Sequence, residues 1–110
     1  MAYDAGLVER IADLFQQLGE RGIRQKNVFG GRGFMAGKSA AVIVFDDDLI
    51  VKVPRAEYEE LRAMEGVAPF APGGEKPMST WLVVPPDLLA DDPELREWLE
   101  RGLRAVRARG

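Results

Sequence analysis

The chain has 110 residues, with 15 Lys and Arg against 18 Asp and Glu, and neither cysteine nor histidine. Those absences exclude a thiolate nucleophile, an imidazole acid or base, a serine–histidine–aspartate triad and a Cys/His zinc site. A formal charge of −3, with 46% hydrophobic and 30% charged residues, fits one soluble globular domain.

Residues 4–21 carry Leu7, Val8, Ile11, Leu14, Phe15 and Leu18 at three- and four-residue spacing, which predicts a helix with one buried face. Gly19 and Gly22 supply its stop. Charges spread through these first 20 residues leave no signal-peptide apolar run. Beyond Gly22 the period changes, and short runs at 23–29, 33–36, 40–45 and 49–53 predict an antiparallel meander. Gly37-Lys38 and Asp46-Asp47-Asp48 are its turn candidates. The longest apolar run, 40–45, is far below the roughly 20 residues of a membrane helix. A soluble, cytoplasmic protein is the expectation.

Pro54 closes the meander, and residues 56–65 predict a short helix with Tyr58, Leu61 and Met64 on one side. Residues 66–78, with three prolines and three glycines, predict an irregular loop. Phe70 anchors it in one reading, as a packed Ω-type loop; in the other it is a mobile binding loop. Residues 79–84 predict a further strand with Trp81 and Val83 on one face and Leu82 and Val84 on the other, ended by Pro85-Pro86. Residues 87–90 suit a single turn. Asp92-Pro93 then opens a helix whose stripe is Leu95, Trp98, Leu99, Leu103 and Val106, with Glu97–Arg101 and Glu100–Arg104 as four-residue ion pairs. The fold class read from these elements is α+β: a curved antiparallel sheet of about four strands plus a later one, flanked by an N-terminal, a short middle and a C-terminal helix.

Candidate sites are few. The string around Gly30, Gly31, Gly33, Gly37 and Lys38 invites a phosphate-loop reading, which the register refutes. A G-x-x-x-x-G-K-[ST] loop ending at Gly37 needs glycine at Arg32, and residues 40–45 are strand-like rather than helical. The glycines instead suit a tight turn, a bulge or a close approach between strands. The aspartate triplet lacks the spaced ligands of a calcium loop. No catalytic residue, metal ligand or cofactor is assigned, and the expectation is a protein that is not an enzyme. A small-ligand-binding domain, or an enzyme using Lys52 and carboxylates in a pocket under the loop at residues 66–78, is a further alternative. Residues 1–55 hold eight basic and seven acidic side chains; residues 56–110 hold seven and eleven. Arg21, Arg24, Lys26, Arg32 and Lys38 follow one another with no acid between Glu20 and Asp46. That basic segment is either a solvated surface or a phosphate contact. Unpaired strand edges also admit a homodimer.

Several landmarks together carry a resemblance: Phe29-Gly30-Gly31, Gly33-Phe34, Leu49-Ile50-Val51-Lys52, Pro69-Phe70, Met78 followed by Trp81-Leu82-Val83-Val84-Pro85, and Trp98-Leu99. From about residue 28 to 106 the chain resembles the amino-terminal domain of the TfoX/Sxy competence regulators. The resemblance implies an α+β domain with Phe29, Gly30, Gly31, Gly33, Phe34, Pro85 and Trp98 as its structural signature. In those regulators the domain works with the cyclic-AMP receptor protein on DNA-uptake genes. This implies transcriptional coactivation through protein contacts, with transcription machinery as the partner. The sequence ends at Gly110, so one domain over 1–110 without the regulators' helix-hairpin-helix-type domain is the expectation. Arg32, Lys38, Lys52, Phe70 and Trp81 are the candidate partner contacts; direct nucleic-acid binding through the basic segment is the alternative.

Overall fold

The computed structural model describes residues 3–28, 30–71 and 79–108. Helix α1 (Ala5–Gln17) starts where the Asp4 carboxylate accepts the Leu7 N–H at 3.2 Å, which satisfies one free amide of the first turn. It buries Leu7, Val8, Ile11, Leu14 and Phe15, and stops short of the expected end at residue 21. Gly19 is the cause. At φ +78° it takes the left-handed conformation, its own N–H bonding the Gln16 carbonyl and that of Glu20 bonding the Phe15 carbonyl.

Strands β1 (Ile23–Val28), β2 (Gly31–Ala36), β3 (Ser39–Phe45) and β4 (Asp48–Lys52) form the antiparallel meander. Tight turns join them: Gly37 stands at φ +70° between β2 and β3, and Asp46 at φ +53° between β3 and β4. β2 begins at Gly31, ahead of the expected residue 33, so Gly31 and Gly33 lie inside a strand. A register shift between Phe34 and Met35 bulges it against β3.

Helix α2 (Arg55–Arg62) follows Pro54 and buries Leu61. It is shorter than expected, and Met64, beyond its end, is exposed rather than packed. The irregular reading of residues 66–78 needs one correction. Ala68–Pro69 is strand β5, paired with β6 (Trp81–Val84), and the Phe70 N–H donates to the Trp81 carbonyl at 3.0 Å. Proline is tolerated there because β5 is an edge strand. Residues 72–78, which include Met78, lie outside the described residues, as does Phe29. β6 starts later than expected because Ser79, at φ +47°, breaks the extended run.

The sheet thus has six strands in the order β1-β2-β3-β4-β6-β5, every pairing antiparallel, and it is not closed. A 3₁₀ turn (Pro86–Leu89) leads to α3 (Asp92–Arg107). Its cap is Asp91, not Asp92: the Asp91 carboxylate accepts the Glu94 N–H at 2.9 Å, while Asp92 is held by Arg10 at 3.0 Å. Glu97 pairs with Arg101 as expected, but Arg104 reaches Glu57 of α2 rather than Glu100.

The fold is α+β in two layers. Apolar residues of α1, α2 and α3 pack with Phe34, Val42, Val44, Leu49, Val51 and Leu82 from one face of the sheet. Burial of these side chains is the main favourable term in folding, at roughly 25 cal/mol per Å² of apolar surface removed from water. No helix of the described residues is long and apolar enough to cross a membrane.

Gly102 sets how closely α3 sits. A β-carbon there would lie 2.6 Å from the Ala41 carbonyl oxygen and 3.1 Å from the Val42 Cγ1, so the helix rests directly on the backbone of β3. Gly102→Ala is expected to lower stability by about 1–3 kcal/mol through overpacking. Alanine's better helix propensity, worth about 1 kcal/mol, opposes that loss. Urea unfolding measures the net; a variant more stable than the parent would contradict the close approach.

Candidate interaction surface

Alternation along the strands assigns the opposite face of the sheet. Residues directly paired across antiparallel strands share a face, so Gly33, Ile43, Ile50, Val83 and Ala68 form one continuous row. Lys52 and Trp81 are paired in the adjoining row. Ile43 and Ile50 are each 2% exposed and Trp81 8%, with Val28, Ala40, Phe45, Phe70 and Val83 half-buried around them. Among the described residues, no helix contributes to this second cluster.

The glycines explain how a face without a helix layer stays closed. Gly31 and Gly33 both point to this side, two residues apart. A β-carbon on Gly33 would meet Val28 Cγ2 at 2.8 Å; one on Gly31 would meet Ile43 and Phe45 at 3.3 Å and collide with the Val44 carbonyl oxygen. Val28, Ile43 and Phe45 therefore fold into the slot that the two missing side chains leave. Gly30, at φ +81°, supplies the preceding turn. Phe34 and Trp98 belong to the helix side, where the Phe34 ring centroid lies 5.7 Å from that of Phe15 and Arg101 stacks 4.6 Å over Trp98. Pro85 packs its Cγ toward Gly66.

The five candidate contact residues divide among three places. Lys52, Phe70 and Trp81 come together on the helix-free face, Lys52 by register and Phe70 by its backbone bond to Trp81. Trp81 is mostly packing. Arg32 is paired with Val44 and Asn27 in the register, so it points to the helix side, where it donates to Gln25 Oε1 at 3.0 Å and Asn27 Oδ1 at 2.9 Å. Lys38 sits exposed on the β2–β3 turn.

One concavity adjoins Lys52, and a larger one lies in the helix layer. The first, of about 220 Å³, is lined by Lys52, Arg55, Ser79 and Thr80 and walled by Ala105 and Ala108. Two cations and two hydroxyl residues suit an anionic group such as a partner carboxylate. None of its described lining residues is a carboxylate. Sequence reading missed Arg55, Ser79 and Thr80, since only the fold brings the start of α2 beside the start of β6. The other, of about 660 Å³, lies between the end of α1 and the last turns of α3. It is crossed by the Glu20–Arg107 pair. The Arg107 hydrogen bond holds the Glu20 carboxyl below the usual glutamate range against the opposing effect of burial. No group of three or more acidic residues placed to hold a metal occurs among the described residues.

A family model described as the TfoX N-terminal domain matches residues 13–106. The chain belongs to this family. The match spans every element from within α1 to near the end of α3. No curated protein and no solved structure matches the chain. Most landmarks of the family that lie among the described residues are packing or turn residues of the sheet and of α3.

Two measurements test this geometry. Gly33→Val is expected to cost about 1–3 kcal/mol by forcing Val28 out of its slot; an unchanged urea midpoint would contradict the slot. Asp48 is pushed up, first by burial and then by Asp46 and Asp47. Its folded form therefore holds its proton more tightly than the unfolded chain does, so stability falls as pH rises through the carboxylate range. Asp48→Asn is expected to be more stable than the parent at neutral pH, and the gain to close toward about pH 3. Thermal melts across that range decide it; a gain independent of pH would contradict the assignment.

Proposed function

We propose that this TfoX N-terminal domain is a non-enzymatic protein-interaction module with a regulatory role in the cytoplasm. One observation carries the reading: Lys52, Phe70 and Trp81 meet on the sheet face that no described helix covers, next to a cationic concavity. The half-buried apolar ring supplies contact area, while Lys52 and Arg55 supply charge at its margin. That combination suits a protein partner presenting an apolar anchor beside an acidic group. Transcriptional coactivation through protein contacts is the regulatory role proposed, and its support is the family resemblance to the competence regulators. Catalysis is left out of the reading because the sequence holds neither histidine nor cysteine and the concavity beside Lys52 lacks a described acid.

A second reading, nucleic-acid binding, rests on the basic segment. Arg24 and Lys26 lie on β1 and Lys38 on the adjoining turn, all exposed. Capture from cell lysate with and without nuclease separates the two. The module reading expects protein partners that survive nuclease and are lost, by about tenfold or more, in Lys52→Glu and Phe70→Ala variants that still fold. Loss of everything on nuclease treatment would overturn it in favour of nucleic acid.

A further inference from the structure

The two ends of the sheet are unlike. β5 contributes two residues at one edge, whereas β1 presents six at the other. Antiparallel strands alternate residues that bond to their neighbour with residues that face away, so half of β1 turns its N–H and C=O groups outward. The four central residues Arg24, Gln25, Lys26 and Asn27 are exposed. An unpaired edge of this length is a template for another strand.

Charge sets this edge apart from the helix layer. Of the seven arginines on α1, α2 and α3, Arg10, Arg62, Arg101, Arg104 and Arg107 are each paired with a carboxylate, while Arg55 and Arg96 have no ion pair among the described residues. The cations from Arg21 to Lys38 are not so paired. Arg24 donates to the Gly37 carbonyl and Arg32 to two neutral amides, while Arg21, Lys26 and Lys38 have no ion pair among the described residues. With no acid between Glu20 and Asp46, the edge keeps a positive field on a chain whose net charge is −3. Lysine on an edge strand also guards against self-pairing: two β1 strands joined antiparallel about Gln25 would set Arg24 of each against Lys26 of the other. The edge therefore rejects a second copy of itself and favours the opposite charge.

We propose that the β1 edge accepts an extended acidic peptide segment as an added seventh strand. This rests on the interaction-module reading but places a contact away from Lys52 and Trp81. Arg24 and Lys26 are two residues apart on the helix-free face, the repeat at which an extended strand presents its own same-face side chains. Carboxylates at alternate positions of the added strand pair with both. Backbone hydrogen bonds supply affinity, and the alternating charge supplies register. A nucleic-acid strand matches the charge but offers no amides to the outward carbonyls.

The test uses the full chain and a fluorescein-labelled peptide of alternating valine and glutamate, about ten residues long, read by fluorescence anisotropy. Its comparators are the same peptide with lysine for glutamate, two versions N-methylated on one or the other set of alternate amides, and a labelled single-stranded oligonucleotide. The expected result is binding of the acidic peptide, weakened about tenfold or more by Arg24→Glu with Lys26→Glu and by one N-methyl set but not the other. Lys26→Gln, read the same way, serves if the double variant fails to fold. Equal binding of both N-methylated forms, or no binding of the acidic peptide, would overturn the added strand. Binding of the oligonucleotide alone would replace it with the nucleic-acid reading. Peptide binding lost in Lys52→Glu but intact in the edge variant would also overturn it, while leaving the interaction module standing.

Discussion

Gly102 lets α3 lie on the backbone of β3, and the rest of the architecture follows from that contact. A helix resting on Ala41 and Val42 brings Leu95, Trp98, Leu99 and Leu103 down onto the central strands. α1 then fills the space beside it, and Glu20, just past its end, ties back to Arg107. Glu57 of α2 gathers both Arg101 and Arg104, so the short middle helix is moored to α3 by charge as well as by Leu61. Exposed pairs of this kind are worth little singly, about 0–1 kcal/mol, so the apolar packing beneath them dominates.

Placing every helix on one face leaves the domain with a second face to close. It does so by an economy of side chains: Gly31 and Gly33 vacate a slot, and Val28, Ile43 and Phe45 occupy it. The glycine string that invites a phosphate-loop reading thus has a packing purpose. The same one-sided construction gives the surface two characters. Most arginines of the helix layer are neutralised within the fold, and the cations of the β1–β2 hairpin are left with neutral partners or solvent.

The sequence made the long elements legible because their periodicity records burial directly. α1 and α3 show the 3.6-residue repeat, and β3, β4 and β6 show runs of β-branched residues. What it hid depends on tertiary context. β5 is two residues inside a proline- and glycine-rich stretch, and only β6 makes it a strand. The face of Arg32 could not be read without the register of β1 and β3, which sets it opposite Asn27 and Val44. Arg55 and Thr80, 25 positions apart, meet in one concavity only after the sheet has formed. Phe70 and Trp81 were legible as aromatics, yet their joining by a backbone bond required β5.

The helix side of the domain is sealed while the β1 edge is left unpaired. Residue-resolved amide hydrogen exchange on the free protein tests it most directly. The slowest exchange is expected at Val42, Val44, Val51, Leu82 and the middle of α3, with β1 split between protected amides bonded to β2 and freely exchanging ones on its outer side. Equal protection of all six β1 amides, as deep as that of β3, would mean instead that the edge is already occupied.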